Sequence, residues 1–178
     1  MSPGTPPQGN GAPLTAMPPL LRHDSQVVIL GSFPGTASLR AREYYAHPRN
    51  QFWSIMGRLL QHPLPSQSYA ERTRCLLDHR IGLWDVYASC LRHGSLDSAI
   101  RSPVLNDLNT LRVMAPDLRL VIHNGAESAR RIGEIEQLGL PAVRLPSTSP
   151  ANARIDVESK LALWREALAR AGVLPGRP

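Results

Sequence analysis

Gln26-Val27-Val28-Ile29-Leu30-Gly31-Ser32-Phe33-Pro34-Gly35 is the stretch on which the fold turns. Its first half is an unbroken apolar run, the pattern of a buried strand. Its second half forces a turn: glycine reaches backbone angles that other residues resist, and proline removes a donor. In open α/β sheets, ligands bind beyond the carboxyl ends of strands. The turn is therefore where a site is sought. Tyr44-Tyr45-Ala46-His47-Pro48-Arg49-Asn50-Gln51-Phe52-Trp53 follows at a short remove. Aromatics, a histidine, an arginine and amides packed so closely suit the holding of a flat ring better than a solvated linker.

Outward from this stretch, strands alternate with helices. Asn50 to Gln61 has helical spacing, with Phe52, Ile55, Met56, Leu59 and Leu60 on one face. His62-Pro63-Leu64-Pro65 ends that helix. Ser68 to His79 reads as a second helix, Ile81 to Val86 as a short strand, and 88–105 as a long surface connection near the site. A short helix is expected over Asn106–Val113, a second strongly apolar strand over Leu118–His123, and then a helix to about Gln137. Ala142–Leu145 is the last strand. Pro146 to Arg154 is a polar loop, and Asp156 caps a helix running to about Ala171. The expected fold is α/β: a three-layer α/β/α arrangement around a central, mainly parallel four-stranded sheet.

At 178 residues the chain makes one domain with a sizeable core. Residues 1–24, rich in Pro and Gly, are expected to be a mobile arm. Residues 25–173 are the domain and 174–178 a flexible tail. The net charge is +6 with 20 Lys+Arg, and Lys160 is the only lysine. Arginine forks match phosphate oxygens, which fits a polyanionic partner; a GC-rich genome that writes Arg for Lys explains the composition equally well. Cys75 and Cys90 form no Cys-x-x-Cys, so neither zinc nor an iron–sulfur cluster is expected. No apolar run approaches the ~20 residues that span a bilayer, and no signal-peptide pattern opens the chain. The expected location is the cytoplasm, at the bacterial nucleoid, with free thiols.

Taken in order, three motifs resemble the uracil-DNA glycosylase superfamily: Gly31-Ser32-Phe33-Pro34-Gly35, then Tyr45-Ala46-His47-Pro48-Arg49-Asn50-Gln51-Phe52-Trp53, then Leu145-Pro146-Ser147-Thr148-Ser149-Pro150-Ala151-Asn152. The resemblance is strongest to the hypoxanthine-DNA glycosylase (DNA-deoxyinosine glycosylase) branch. The mismatch-specific uracil/thymine glycosylases share a similar middle stretch. The likeness covers roughly Gln26 to Gly172. It implies a monofunctional DNA glycosylase that flips out and hydrolytically excises deaminated bases, hypoxanthine first, in base excision repair. It also implies no cofactor, no metal, no membrane, and a monomer acting on double-stranded DNA that contains a deaminated base. Excision of uracil or mismatched thymine is one alternative, and a non-catalytic nucleic-acid-binding module of the same fold is another.

Breaking an N-glycosidic bond gives the sugar oxocarbenium character while the base leaves with negative charge. The protein must extrude the nucleotide, hold the base, place a water and grip the flanking phosphates. Tyr45 is the candidate for stacking on the base, worth ~1–3 kcal/mol; a core aromatic is its ordinary alternative. In the mismatch-specific relatives the residue before Pro in the first motif is an Asn that orients water. Here it is Phe33, which cannot hydrogen-bond. The resemblance to the hypoxanthine branch therefore moves the catalytic amide to Asn50, whose ordinary role would be to cap the helix that follows. Ser32 and Phe33 line the pocket floor, with backbone N–H groups for the base edge. The Asn124 carboxamide offers a donor and an acceptor to a base edge, or serves an Asn-Gly turn. Asp85, beside Trp84 at a strand end, is the second-choice catalytic group, or else a turn cap or a partner of arginine. Ser147, Thr148, Ser149, Pro150, Ala151 and Asn152 form the expected DNA-backbone and wedge loop, with Arg154 for backbone or opposite-strand contact; the plainer reading is a helix-entry loop. The mismatch-specific relatives carry a bulky apolar wedge near here, and this loop has none. His47 is a lesser catalytic candidate, and Arg40, Arg42 and Arg49 are phosphate contacts or a solvated face.

Overall fold

A computed structural model describes residues 11–174, and Val27 to Leu30 lie fully buried at its centre. In chain order the elements are β1 (Leu14–Thr15), β2 (Val27–Gly31), α1 (Thr36–Ala41), α2 (Phe52–Leu60), α3 (Tyr69–Asp78), β3 (Ile81–Asp85), β4 (Tyr87–Leu91), β5 (Arg101–Leu105), α4 (Leu111–Met114), β6 (Leu120–Asn124), α5 (Ala126–Ala129), α6 (Ile132–Gln137), β7 (Ala142–Leu145) and α7 (Val157–Arg170). The main sheet has the order β3-β2-β6-β7, and every pairing in it is parallel. Successive side chains of a strand point to opposite faces, so β2 feeds two cores. Val27 and Ile29 pack with Phe52, Met56, Leu161 and Trp164, burying the apolar faces of α2 and α7. Val28 and Leu30 pack with Trp84, Leu111, Val121 and Ile135 on the other side. The three-layer α/β/α architecture expected from the sequence is the one observed.

The parallel register decides where the chemistry sits. Gly31 lies opposite Asp85, and Asn124 lies opposite Leu145. The carboxyl ends of neighbouring strands thus open onto one side of the sheet, together with the loops that follow them. Glycine is required at Gly31, because a Cβ there would meet the Asp85 carboxylate oxygen at 2.6 Å. Gly125, at φ 104°, turns the chain into α5 and leaves room for Ser147, whose Cβ would lie 2.9 Å from an added methyl.

The region expected as a loop over 88–105 is instead built around an antiparallel pair. β4 and β5 pair with each other, and β1 pairs with the far edge of β4. Only Arg92–Ile100 between them keeps the loop character. The mobile arm expected over 1–24 is likewise corrected from Leu14 onward. Leu14 and Thr15 pair with Cys90 and Ser89, and Leu20 exchanges two backbone hydrogen bonds of 2.8 Å with Leu83. The strand edges of β3 and β4 carry free donors and acceptors, and an extended Pro-rich segment can satisfy them without forming a helix. Residues 1–10, the rest of the expected arm, lie outside the described residues, as do 175–178 of the expected tail. Leu174 packs against the core. The helix expected to run to Gln137 is divided into α5 and α6, and Leu108–Thr110 forms a 3-10 turn ahead of α4.

The close seating of Leu20 and Leu21 on β3 gives a test. A Cβ on Gly82 would meet the Leu20 carbonyl oxygen at 2.8 Å and the Leu21 side chain at 2.2 Å. Gly82→Val should displace that segment and lower stability by roughly 1–3 kcal/mol, read as the midpoint of urea unfolding. An unchanged midpoint would mean that residues 20–21 contribute nothing to the folded domain.

Candidate active site

A cavity of about 850 Å³ opens at the carboxyl ends of β2, β3, β6 and β7. Ser32, Phe33, Tyr45, Asn50, Asp85 and Asn124 all line it, as do Ser147 to Asn152. Five separate stretches of sequence are thereby brought to one concavity. Arg154 is exposed and lies beside this wall without lining it.

Asp85 ends β3 and is only 4% exposed. One carboxylate oxygen, Oδ2, is buried and has no hydrogen-bond partner among the described residues. A buried carboxylate is expected to be paired or bonded, so this one is a group held in reserve. Burial pushes its pKa up to about 7; the nearby Arg92 cation works against that rise, and Asp97 adds to it. Arg92 is itself buried, and its guanidinium lies 5.0 Å over the Phe33 ring while donating to the Pro34 carbonyl. No ion pair between Arg92 and Asp85 forms among the described residues. The carboxyl therefore sits near the point where both protonation states are accessible at neutral pH, as a general base requires. Asp85, the second-choice catalytic group of the sequence, is a buried carboxylate lining the cavity.

Tyr45 stacks on Phe52 with ring centroids 3.9 Å apart and planes at 19°. Phe52 covers one face of the ring, and Tyr45 also lines the cavity. Tyr45 has a φ of 56°, the left-handed region that a bulky residue enters at a cost of roughly 1 kcal/mol or more. The stack and a hydrogen bond hold it there: Asn124 Nδ2 donates to the Tyr45 hydroxyl at 3.2 Å. Burial raises the phenol well above its ordinary pKa and keeps it neutral. Tyr44, by contrast, turns inward and donates to the Pro18 carbonyl at 2.9 Å.

The Asn124 carboxamide, expected to offer a donor and an acceptor to a base edge, is largely engaged within the protein. Its Nδ2 also donates to Thr148 Oγ1 at 3.0 Å, and its Oδ1 accepts from the Thr148 N–H at 3.0 Å. Both amide hydrogens are committed. The residue ties Tyr45 to the Pro146–Arg154 loop. The same bonds remove Thr148 from the expected phosphate contacts, since it is fully buried.

Asn50 combines the two roles considered for it. Its Oδ1 accepts from the Phe52 N–H at 2.9 Å, which caps the start of α2. The side chain still lines the cavity, and its Nδ2 has no partner among the described residues. The Ser32 hydroxyl donates to Asp97 at 2.6 Å, so its hydrogen is spent. The N–H groups of Ser32 and Phe33 find no acceptor among the described residues and remain for a base or a departing anion. His47 lines the cavity and accepts from the Arg49 N–H at 3.1 Å.

The Pro146–Arg154 loop is braced from within. Ser147 Oγ accepts from the Ser149 N–H at 3.1 Å, Ser149 Oγ from the Ala151 N–H at 3.2 Å, and Asn152 Nδ2 donates to the Ser147 carbonyl at 3.3 Å. Lys160 is 1% exposed and bonds both the Asn152 carbonyl and Gln51 Oε1 at 2.8 Å. The sole lysine thus fixes this loop to the start of α2 and does not line the cavity. Arg40, Arg42, Arg49, Arg144 and Arg154 carry no ion pair among the described residues. Arg144 and Asp97 line the cavity. No motif marks either residue in sequence; only the β6–β7 register and the β4–β5 pairing bring them in.

The family model of the uracil DNA glycosylase superfamily matches residues 18–169. A hypoxanthine DNA glycosylase of Methanosarcina barkeri is 37% identical over 153 residues, covering 86% of this chain and 96% of that protein. A hypoxanthine DNA glycosylase of Methanosarcina acetivorans is 39% identical over 141 residues, covering 77% and 87%. The solution NMR structure of a candidate uracil DNA glycosylase from Methanosarcina acetivorans superposes with a TM-score of 0.82 at 32% identity, covering 90% of this chain and 99% of that one. The chain belongs to the uracil DNA glycosylase superfamily and is a DNA glycosylase.

Burial of Asp85 has a measurable consequence for stability. Its folded pKa lies above the unfolded value of 3.8. Between those values the unfolded chain has already released the proton that the fold retains, so stability falls as pH rises from about 4 to about 7. Asp85→Asn removes that loss. Its melting temperature should exceed that of the parent at about pH 8.5, by roughly 2–4 °C per kcal/mol recovered, and match it near pH 4. An equal shift at both pH values would show that Asp85 carries no raised pKa. Lys160→Met strands two buried acceptors and should cost about 1–3 kcal/mol in the same melts; a neutral outcome would mean the loop does not depend on that anchor.

Proposed function

We propose that the protein is a monofunctional glycosylase that excises deaminated bases from duplex DNA, hypoxanthine first. The reading rests above all on one observation: a buried carboxylate with an unpartnered oxygen lines the same cavity as an aromatic ring stacked on Phe52. An extruded base stacks on Tyr45. The Ser32 and Phe33 N–H groups meet the base edge and the charge that develops on it. Asp85, ionised, accepts a proton from a water held below the sugar. The water oxygen bonds to C1′, the bond from C1′ to the base nitrogen breaks, and the base departs with that electron pair and is then protonated. The free Nδ2 of Asn50 helps to orient the water or the anion. Free arginines around the mouth, Arg42, Arg49, Arg144 and Arg154 among them, contact phosphates.

The choice of hypoxanthine is supported by the names of the two Methanosarcina relatives. Uracil is the second reading, because the structural neighbour is described by that activity. With the only lysine bonded away from the cavity, no side-chain amine there is placed to form a Schiff base. The product is an intact strand with an abasic site. The enzyme acts as a monomer on cytoplasmic DNA.

Purified protein and a duplex holding one deoxyinosine should give strand cleavage only after alkali. Cleavage of a uracil duplex alone would replace hypoxanthine by uracil, and cleavage of neither would end the enzymatic reading. The rate should rise with pH through about 7 as Asp85 ionises, since the base form is the active one. Asp85→Asn should lower single-turnover excision by about 10²–10⁴-fold and flatten that pH limb. Asn50→Ala should slow excision by roughly 10²-fold, with loss of a helix cap costing about 1 kcal/mol as a separable stability effect. A pH limb that survives in Asp85→Asn would assign the base elsewhere.

A further inference from the structure

Extruding a nucleotide leaves a gap in the stack, and proteins that unstack DNA fill such gaps with bulky apolar side chains. The Pro146–Arg154 loop offers only Ala151, Asn152 and Ala153 at its tip. Elsewhere on the cavity wall, three large apolar side chains are exposed: Leu96 at 57%, Leu163 at 43% and Ile155 at 36%. Leu163 is a residue of α7, and Ile155 directly precedes the Asp156 cap of that helix. Leu96 belongs to the connection between β4 and β5, whereas Ile155 ends the connection between β7 and α7.

That segment is exposed yet anchored. Asp97 accepts from the Ser32 hydroxyl at 2.6 Å. Ser95 Oγ accepts from the Thr36 N–H at 2.9 Å and donates to Thr36 Oγ1 at 3.0 Å. Arg92 donates to the Pro34 carbonyl. Three attachments therefore fix Leu96 relative to the Gly31–Gly35 turn, on either side of a solvent-facing apolar side chain. In the sheet order β3-β2-β6-β7, these attachments sit over the β2–β3 side, whereas the Pro146–Arg154 loop leaves β7 at the opposite edge.

We propose that Leu96 is the wedge that enters the duplex and occupies the space vacated by the flipped nucleotide. The Arg92–Ile100 segment is then the strand-separating element, supplied from across the cavity from the Pro146–Arg154 loop. Attachment of the segment to the turn that floors the pocket couples insertion of Leu96 to capture of the base. The inference rests on the glycosylase reading above.

The test uses the full-length protein and two duplexes with one deoxyinosine, opposite cytosine in the first and opposite a pyrene C-nucleotide in the second. Pyrene fills the gap from the other strand and makes a protein wedge dispensable. Leu96→Ala should lose roughly tenfold or more in single-turnover excision opposite cytosine, equivalent to about 1.4 kcal/mol, and regain most of it opposite pyrene. Leu96→Phe, which keeps the bulk, should retain activity on both. A loss that pyrene does not restore would mean that Leu96 shapes the cavity and is no wedge. Full activity of Leu96→Ala, with a pyrene-restored loss in Ile155→Ala instead, would move the wedge to Ile155 and overturn the proposal. A parent protein inactive on both duplexes would overturn the choice of hypoxanthine, an outcome distinct from a failure of the wedge.

Discussion

Asp85 is held without a partner because Gly31 has no side chain. The parallel register of β2 and β3 sets these two residues side by side at the sheet edge where the cavity begins. Any Cβ at Gly31 would fill the space that the carboxylate occupies. Burial favours the neutral acid, and the Arg92 cation restrains that preference without neutralising it. The result is a carboxyl poised between two protonation states, near a floor of free N–H groups. Stability is given up at neutral pH to hold it there, as is common where strain or desolvation serves a site.

The rest of the cavity is organised around positioning. Tyr45 is held in an unfavourable backbone conformation by Phe52 beneath it and Asn124 beside it. Through Thr148, the same Asn124 carboxamide grips the loop that follows β7. Lys160 fastens that loop to the start of α2, close to where Asn50 caps the helix. Tyr45, the loop after β7 and the start of α2 are therefore one bonded unit. Preorganisation of this kind lowers a barrier without demanding a strong nucleophile.

Much of this was legible in the sequence. The apolar run Val27–Leu30 and its counterpart Val121–Ile122 announced a parallel sheet, and three ordered motifs marked the cavity wall. Tyr45, Asn50, Ser32 and Phe33 were found by their place in those motifs. What escaped depended on contacts between distant segments. Asp85 is a second-choice catalytic group in sequence, and its burial beside Gly31 emerges only when β3 is seen next to β2. Asn124 offers a carboxamide in sequence, but only the fold reveals that Tyr45 and Thr148 consume it. Leu14 and Leu20 sit in a Pro-rich stretch without periodicity, so their pairing with open strand edges left no local signal. Leu96 and Asp97 lie in a segment without any motif, and β4–β5 pairing alone carries them to the cavity.

The carboxyl of Asp85 can be observed directly. Selective ¹³C labelling of aspartate, with Asp85→Asn to assign the resonance, gives its titration curve by NMR in the free protein. The account predicts a midpoint close to 7, well separated from the exposed aspartates. A midpoint near the ordinary value of 3.8 would contradict it, because the group would then be solvated or paired and would not be the base the cavity is built around.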